Sequence, residues 1–289
     1  MGLFGKKKNS DGNQFIVHLL MKEKCELSKK EEMIRIFEKH LGKIDCFHYD
    51  KDSVGFTCCD YFTDAKKSKK SFSPQLLIVG CSKIKKPLMS QLQESQLWNC
   101  ANGKQILDEC QYEYVATDML SALLDLKERA DLLVKYSEAL AETFTSCRAL
   151  VFGNSMKMFS REDILNCDID EDIRFINYAV NVRSFNIEGS EDKLVDSVGM
   201  NVLSLPDVQD HFHSLDPQSV VSHAYNVLSY ILEYDNPIKD GDVIDGIKDK
   251  AMSSEVQWQV HYEKSLVKPD RILIDVNMNE YASGKRNYR

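Results

Sequence analysis

Asp207, Gln209, His211 and His213 recur at every second position near the middle of the chain. On a β-strand that spacing places all four side chains on one face. Two imidazoles beside a carboxylate can hold a divalent ion, or pass a proton as base and acid. His223, with Asn226 and Tyr230, falls on the less apolar side of the helix predicted next. His261 and Glu263 fall on the polar side of a late strand. If these elements meet, Asp207, His211, His213, His223 and Glu263 line a polar pocket. A divalent metal is the cofactor such a pocket would take. The plainer use of the same residues is a polar sheet face on the wet side of a strand, and it carries more weight.

Other chemical signatures are missing. No glycine-rich phosphate loop, HExxH, GxSxG or zinc-spaced cysteine set is present. The stretch from Asp240 to Gly246 imitates a calcium loop, but its third aspartate comes one place late and no glutamate closes it. Asp168 to Asp172 is an acidic bend without matching cations, read as a hydrated loop. Asp118, Glu128 and Arg129 are candidates for a buried structural ion network. Arg183 shares a strand face with Asn181 and is expected to pair with Asp196 on the neighbouring strand.

Composition bounds the class. The chain has 289 residues, 43% hydrophobic and 28% charged, ordinary fractions for a folded protein with a sizeable core. Its net charge of -8 is uneven: residues 1–70 are net basic and the remainder is acidic. An acidic body argues against nucleic acid as a partner and favours another protein, of basic character. Nine irregularly spaced cysteines without a CxxC pair point to reduced thiols and a cytoplasmic location. No stretch approaches the roughly 18 apolar residues of a membrane span. Residues 1–14 read as a flexible leader, where Leu3, Phe4 and three lysines give a weak chance of membrane-surface contact. Lys66 to Lys70 reads as a solvated loop.

The elements that must position the candidates follow from periodicity. Strands are predicted at 15–21, 44–49, 54–62, 75–80, 111–117 and 149–152. Ser28 with Glu31 should cap a helix ended by Gly42. The longest helix is expected from Asp118 or Ser121 to Phe144. Ser160 with Asp163 should start a short one. The run from Arg174 onward looks strand-like, with strands at 179–187, 194–205 and 208–213. Asp216-Pro217 then opens a helix that stops at Asn236-Pro237. Val256, Trp258, Val260 and Tyr262 alternate with polar residues as a half-buried strand, and 271–276 is the last one. The expected division is a leader 1–14, an N-terminal half 15–153, a C-terminal half 154–276 and a polar tail 277–289. The fold class is α+β: a mixed, mainly antiparallel sheet with packed helices, in two halves sharing a core.

The residues Asn181-Val182-Arg183, Asp196-Ser197-Val198-Gly199, Leu205-Pro206-Asp207-Val208-Gln209, His223-Ala224-Tyr225-Asn226 and Pro269-Asp270-Arg271 carry a resemblance. Over 174–276 the chain resembles the bacterial family called domain of unknown function 4261. It departs from the family pattern at His261, where the family has Gln, and at Lys264, where it has an acidic residue. The resemblance implies a bacterial cytoplasmic protein with one continuous α+β architecture, and transfers no catalytic residue. The function expected is a non-enzymatic protein-interaction module, of the kind that neutralises a toxin. The alternative is a metal-dependent hydrolase using the Asp and His cluster.

Overall fold

The computed structural model describes residues 14–63 and 70–284. Residues 1–13 of the leader and most of the Lys66–Lys70 stretch lie outside the described residues.

The first half opens with β1 (Ile16–Met21), whose apolar run is central in its sheet. Helix α1 (Lys30–Leu41) buries Met33, Ile36, Phe37 and Leu41, as their spacing predicts. Gly42, at φ +73°, ends it with its N–H on the Glu38 carbonyl. Ser28 does not cap this helix, and its carbonyl instead accepts from the Tyr49 hydroxyl at 2.9 Å. Strands β2 (Ile44–Tyr49), β3 (Ser53–Cys58), β4 (Gln75–Lys83) and β5 (Tyr112–Met119) follow. Two short helices, α2 (Gln91–Glu94) and α3 (Gly103–Glu109), lie between β4 and β5. Helix α4 (Leu126–Thr143) starts later than the sequence suggests, because the Asp125 carboxylate caps it through Lys127 N–H. Asp118 is occupied elsewhere: it accepts from the Phe15 N–H at 2.7 Å and pairs with Arg129. With β6 (Cys147–Phe152) and β7 (Lys157–Ser160), the strands form an antiparallel sheet in the order β2-β3-β4-β5-β1-β6-β7.

The second half begins with α5 (Arg161–Leu165), held by the expected Ser160–Asp163 capping box. The strand-like run at Arg174 is a helix, α6 (Glu171–Ala179). Phe175, Ile176 and Tyr178 face the core, so burial overrides their strand preference, while Ile173 stays exposed. The acidic bend is the start of this helix: Asp170 accepts from Asp172 N–H, and the acids sit at the positive end of the dipole. Strands β8 (Asn181–Asn186) and β9 (Lys193–Val198) pair as expected. The predicted continuation of β9 to Leu205 is instead a 3-10 turn at Met200–Leu203, entered through Gly199 at φ +135°. Strand β10 (Val208–Phe212) leads to α7 (Pro217–Glu233), capped by Asp216 through Ser219 N–H. The aspartate-glycine stretch read as a loop forms β11 (Val243–Lys248), which pairs with the long β12 (Ala251–Lys264) before β13 (Ile272–Asn277).

This second sheet runs β11-β12-β13-β10-β9-β8, antiparallel except for the parallel pair β10–β13. Helix α7 packs on one face against Trp258 and Val260, while α1 and α4 cover one face of the first sheet. One continuous hydrophobic cluster contains residues of both halves. The fold is therefore α+β with a shared core. Polar ties cross the same junction: Arg129 donates to the Val202 carbonyl, and Gln96 bonds both the N–H and the carbonyl of Ser184. The stretch expected as a polar tail is held to the second sheet as far as Ser283. Met278 is fully buried, Ala282 bridges Phe212, and Ser283 donates to Asp192.

Candidate functional site

The register of the second sheet lines up a row of polar residues. Arg183 stands opposite Asp196, Asp196 opposite Gln209, Gln209 beside Asp275, and Asp275 opposite His261. Directly paired residues share a face, so the row crosses five strands on the side away from α7. Arg183 grips Asp196 with two prongs, Nε to Oδ1 at 2.8 Å and Nη2 to Oδ2 at 2.5 Å. Gln209 donates to Asp275 at 3.0 Å and accepts from the Leu266 N–H at 2.8 Å.

Asp207 belongs to this lattice. Its carboxylate accepts from Arg271 Nε at 3.0 Å, from the Ser197 hydroxyl and from the Met200 N–H. Arg271 also reaches Asp196 at 2.8 Å, so one guanidinium joins two aspartates. Burial pushes the Asp207 carboxyl up to about 6, although Arg271 pulls the other way. The expected wet face is in fact closed. Asp196, Asp207, Gln209 and Asp275 are all 2% exposed or less. The reason lies in residues 265–271, which turn back so that Leu266, Lys268 and Arg271 bond Gln209, Arg183 and the two aspartates. A sequence pattern cannot foresee that cover.

The other candidates do not converge. His211 shares the lattice face, 3.8 Å from Asp192, with Gly284 close against its ring. His213 bonds Ser214 at 2.9 Å near the surface. His223 lies on the opposite face, where its Nε2 meets the Asp245 carbonyl at 2.8 Å and its ring stands edge-on to Trp258. Burial holds its pKa down, which favours the neutral ring. Glu263 stands opposite Leu273, and His261 approaches Asp240 at 3.4 Å. Among the described residues no group of three or more His, Cys, Asp or Glu could hold a metal ion.

Two features escape the sequence reading. Lys157 on β7 is 1% exposed and donates to the Val180 carbonyl at 2.9 Å, with the Tyr225 hydroxyl at 3.4 Å. Its ammonium sits over the Phe159 and Tyr225 rings. Desolvation lowers its pKa to about 7. Alternation within a short strand gives no hint of a lysine turned inward. The second feature is a groove of about 410 Å³ between α7 and β11. Val227, Tyr230, Ile238, Val243 and Met252 line it, with Asp242 and Asp245 at its side. Tyr230, Val243 and Met252 stay exposed, as does neighbouring Tyr234, whose ring packs on Tyr230. Tyr230 was visible on the outer side of the helix, but the groove requires β11.

Residues 196–277 match the family described as Domain of unknown function (DUF4261). The matched stretch runs from Asp196 to the end of β13 and holds Asp207, Gln209, Arg271 and Asp275, while Arg183 lies before it. No curated protein and no solved structure matches the chain. Among the described residues, no helix is long and apolar enough to cross a membrane.

Proposed function

We propose that this protein is a bacterial, cytoplasmic protein-binding module that takes a basic, apolar segment of a partner into the α7–β11 groove. The observation that carries this reading is the groove itself. It joins exposed Tyr230, Val243 and Met252 to the carboxylates of Asp242 and Asp245. Aromatic and aliphatic anchors beside charge are the usual makings of an interface. The surrounding chain, 233–250, has six acids against three lysines, in keeping with the net charge of -8. Charge complementarity therefore selects a partner rich in Lys or Arg, as a basic toxin would be. A second copy of this chain fits poorly, because its edge would bring acid against acid.

The alternative, a metal-dependent hydrolase, draws less support. It needs His211 and His223 together, and the sheet stands between them. It also needs a free Asp207, which Arg271 engages.

A photo-crosslinking residue placed at Val243 in the producing cell tests the reading. Cross-linking to one protein through a Lys- or Arg-containing peptide is expected, with loss of the product in Asp242→Lys/Asp245→Lys. A crosslinker at exposed Leu92 is the control. Equal products at both positions, or a product indifferent to the charge reversal, overturn it.

A further inference from the structure

Two of the nine free thiols touch. Cys25 Sγ lies 3.9 Å from Cys81 Sγ, and the Cys25 N–H also points at the Cys81 sulfur at 3.4 Å. Among the described residues this is the one hydrogen-bond contact between two thiols. Cys46, Cys59 and Cys147 turn their thiols to backbone carbonyls, and Cys100 turns its own to Asn102.

The surroundings of the pair allow it to close. Cys25 lies on the connection between β1 and α1, partly exposed, with its carbonyl held by the Tyr114 hydroxyl at 2.9 Å. Cys81 is 6% exposed and lies in a register shift of β4 between Val79 and Ser82. Gly80, at φ +37°, precedes it. One thiol therefore rides on a loop and the other on an irregular strand segment. Bringing the sulfurs to the roughly 2.05 Å of a disulfide needs side-chain rotation and a small loop shift.

We propose that Cys25 and Cys81 are a redox-active dithiol that a hydroperoxide converts to a reversible disulfide. Cys25, the accessible partner, meets the oxidant. Its thiolate attacks the O–O bond, takes one oxygen as sulfenic acid, and the other oxygen leaves with a proton as alcohol or water. The Cys81 sulfur then attacks the Cys25 sulfur. Hydroxide departs, takes up the Cys81 proton and becomes water. Two thiols and one hydroperoxide give one disulfide, one alcohol or water from the hydroperoxide, and one further water. Cys81 suits the resolving role, because burial raises its pKa and keeps it a thiol until its neighbour is oxidised. The bond would staple the β1–α1 connection to the first sheet.

The full chain treated with one equivalent of hydrogen peroxide, blocked with maleimide and digested without reductant, tests the proposal. The expected product is a Cys25–Cys81 linkage that dithiothreitol reverses, with a rise of roughly 5–10 °C in thermal midpoint. In Cys81→Ser, Cys25 should accumulate as a dimedone-reactive sulfenic acid. In Cys25→Ser, Cys81 should stay a free thiol and the midpoint should not move on oxidation. The idea fails if native Cys25 is oxidised while Cys81 remains free, or if the linkage appears only in urea. It fails equally if Cys81 is oxidised as readily without Cys25.

Discussion

Arg183 and Asp196 face each other across β8 and β9 and meet through two parallel hydrogen bonds, with the carboxylate wholly out of water. Asp196 also accepts from Arg271. Removing this one carboxylate leaves the buried Arg183 without an acidic partner and takes one of Arg271's two, whereas removing Arg183 leaves Asp196 with Arg271. Asp196→Ala should therefore lower unfolding free energy by about 3–5 kcal/mol, and Arg183→Met by less. Urea unfolding of both variants checks the order, and equal losses would contradict it.

Asp207 predicts a pH dependence. The unfolded carboxyl ionises near 3.8 and the folded one at about 6. Between those values the folded chain keeps a proton that the unfolded chain has released. The contribution to stability is thus full below about 3.8 and is lost as pH rises through 6. The difference in unfolding free energy between native protein and Asp207→Asn, followed from pH 4 to 7, should change by roughly 3 kcal/mol. A flat difference would remove this account of Asp207.

Lys157 carries the opposite sign of charge and a lowered pKa. Its value falls from 10.5 to about 7 on folding. Below pH 7 both states are protonated and the burial penalty is complete. Above it the unfolded chain holds a proton the folded chain has shed, so stability climbs towards pH 10.5. Lys157→Met, which keeps the apolar stem and leaves out the charge, should stabilise the protein at pH 6 by roughly 2–4 kcal/mol. Denaturant midpoints at pH 6 and pH 9 would show whether the gain shrinks as expected.

Gly199 joins β9 to the 3-10 turn at a φ that other residues rarely adopt. A Cβ there would run into the Ala179 carbonyl oxygen and sit 3.0 Å from Val180 Cα. All these atoms are backbone, so none can swing away as a side chain would. Gly199→Ala should cost about 2–5 kcal/mol from strain and overpacking together. A thermal midpoint within a degree of the native value would contradict this.

The groove variants should behave in the reverse manner. Tyr230→Ala and Val243→Asp change exposed side chains and should leave stability within about 0.5 kcal/mol of the native protein. Partner binding, measured by titration calorimetry once the cross-linked protein is known, should weaken in both. It should also weaken as salt rises, because the attraction comes partly from Asp242 and Asp245. Tight binding that ignores both variants would place the interface elsewhere.

Much of this is legible in the order of residues. Met33, Ile36, Phe37 and Leu41 announced α1, Ser160 with Asp163 announced a cap, and Asp216-Pro217 announced α7, because each depends on residues within a turn or two. The pairing of Arg183 with Asp196 was legible for the same reason, since one short hairpin joins their strands. Arg174–Tyr178 misled, because aromatic and β-branched residues fit either a strand or the buried side of a helix. β11 was hidden among aspartates and glycine that read as turn chemistry.

The chain's own order of residues was enough for its class, its helix starts, its hairpins and the alternation that put Asp207, Gln209 and His211 on one side of a strand. Those properties are local, decided by backbone preference and by which side chains recur at 2 or 3.6 residues. The folded arrangement alone decided that the polar side would be roofed by residues 265–271 and sealed by Arg271. It also sent His223 to the far side of the sheet, set Cys25 against Cys81, and turned Lys157 inward. Each of these is a meeting of segments distant in sequence, and their partners are chosen by packing and burial rather than by the residues beside them.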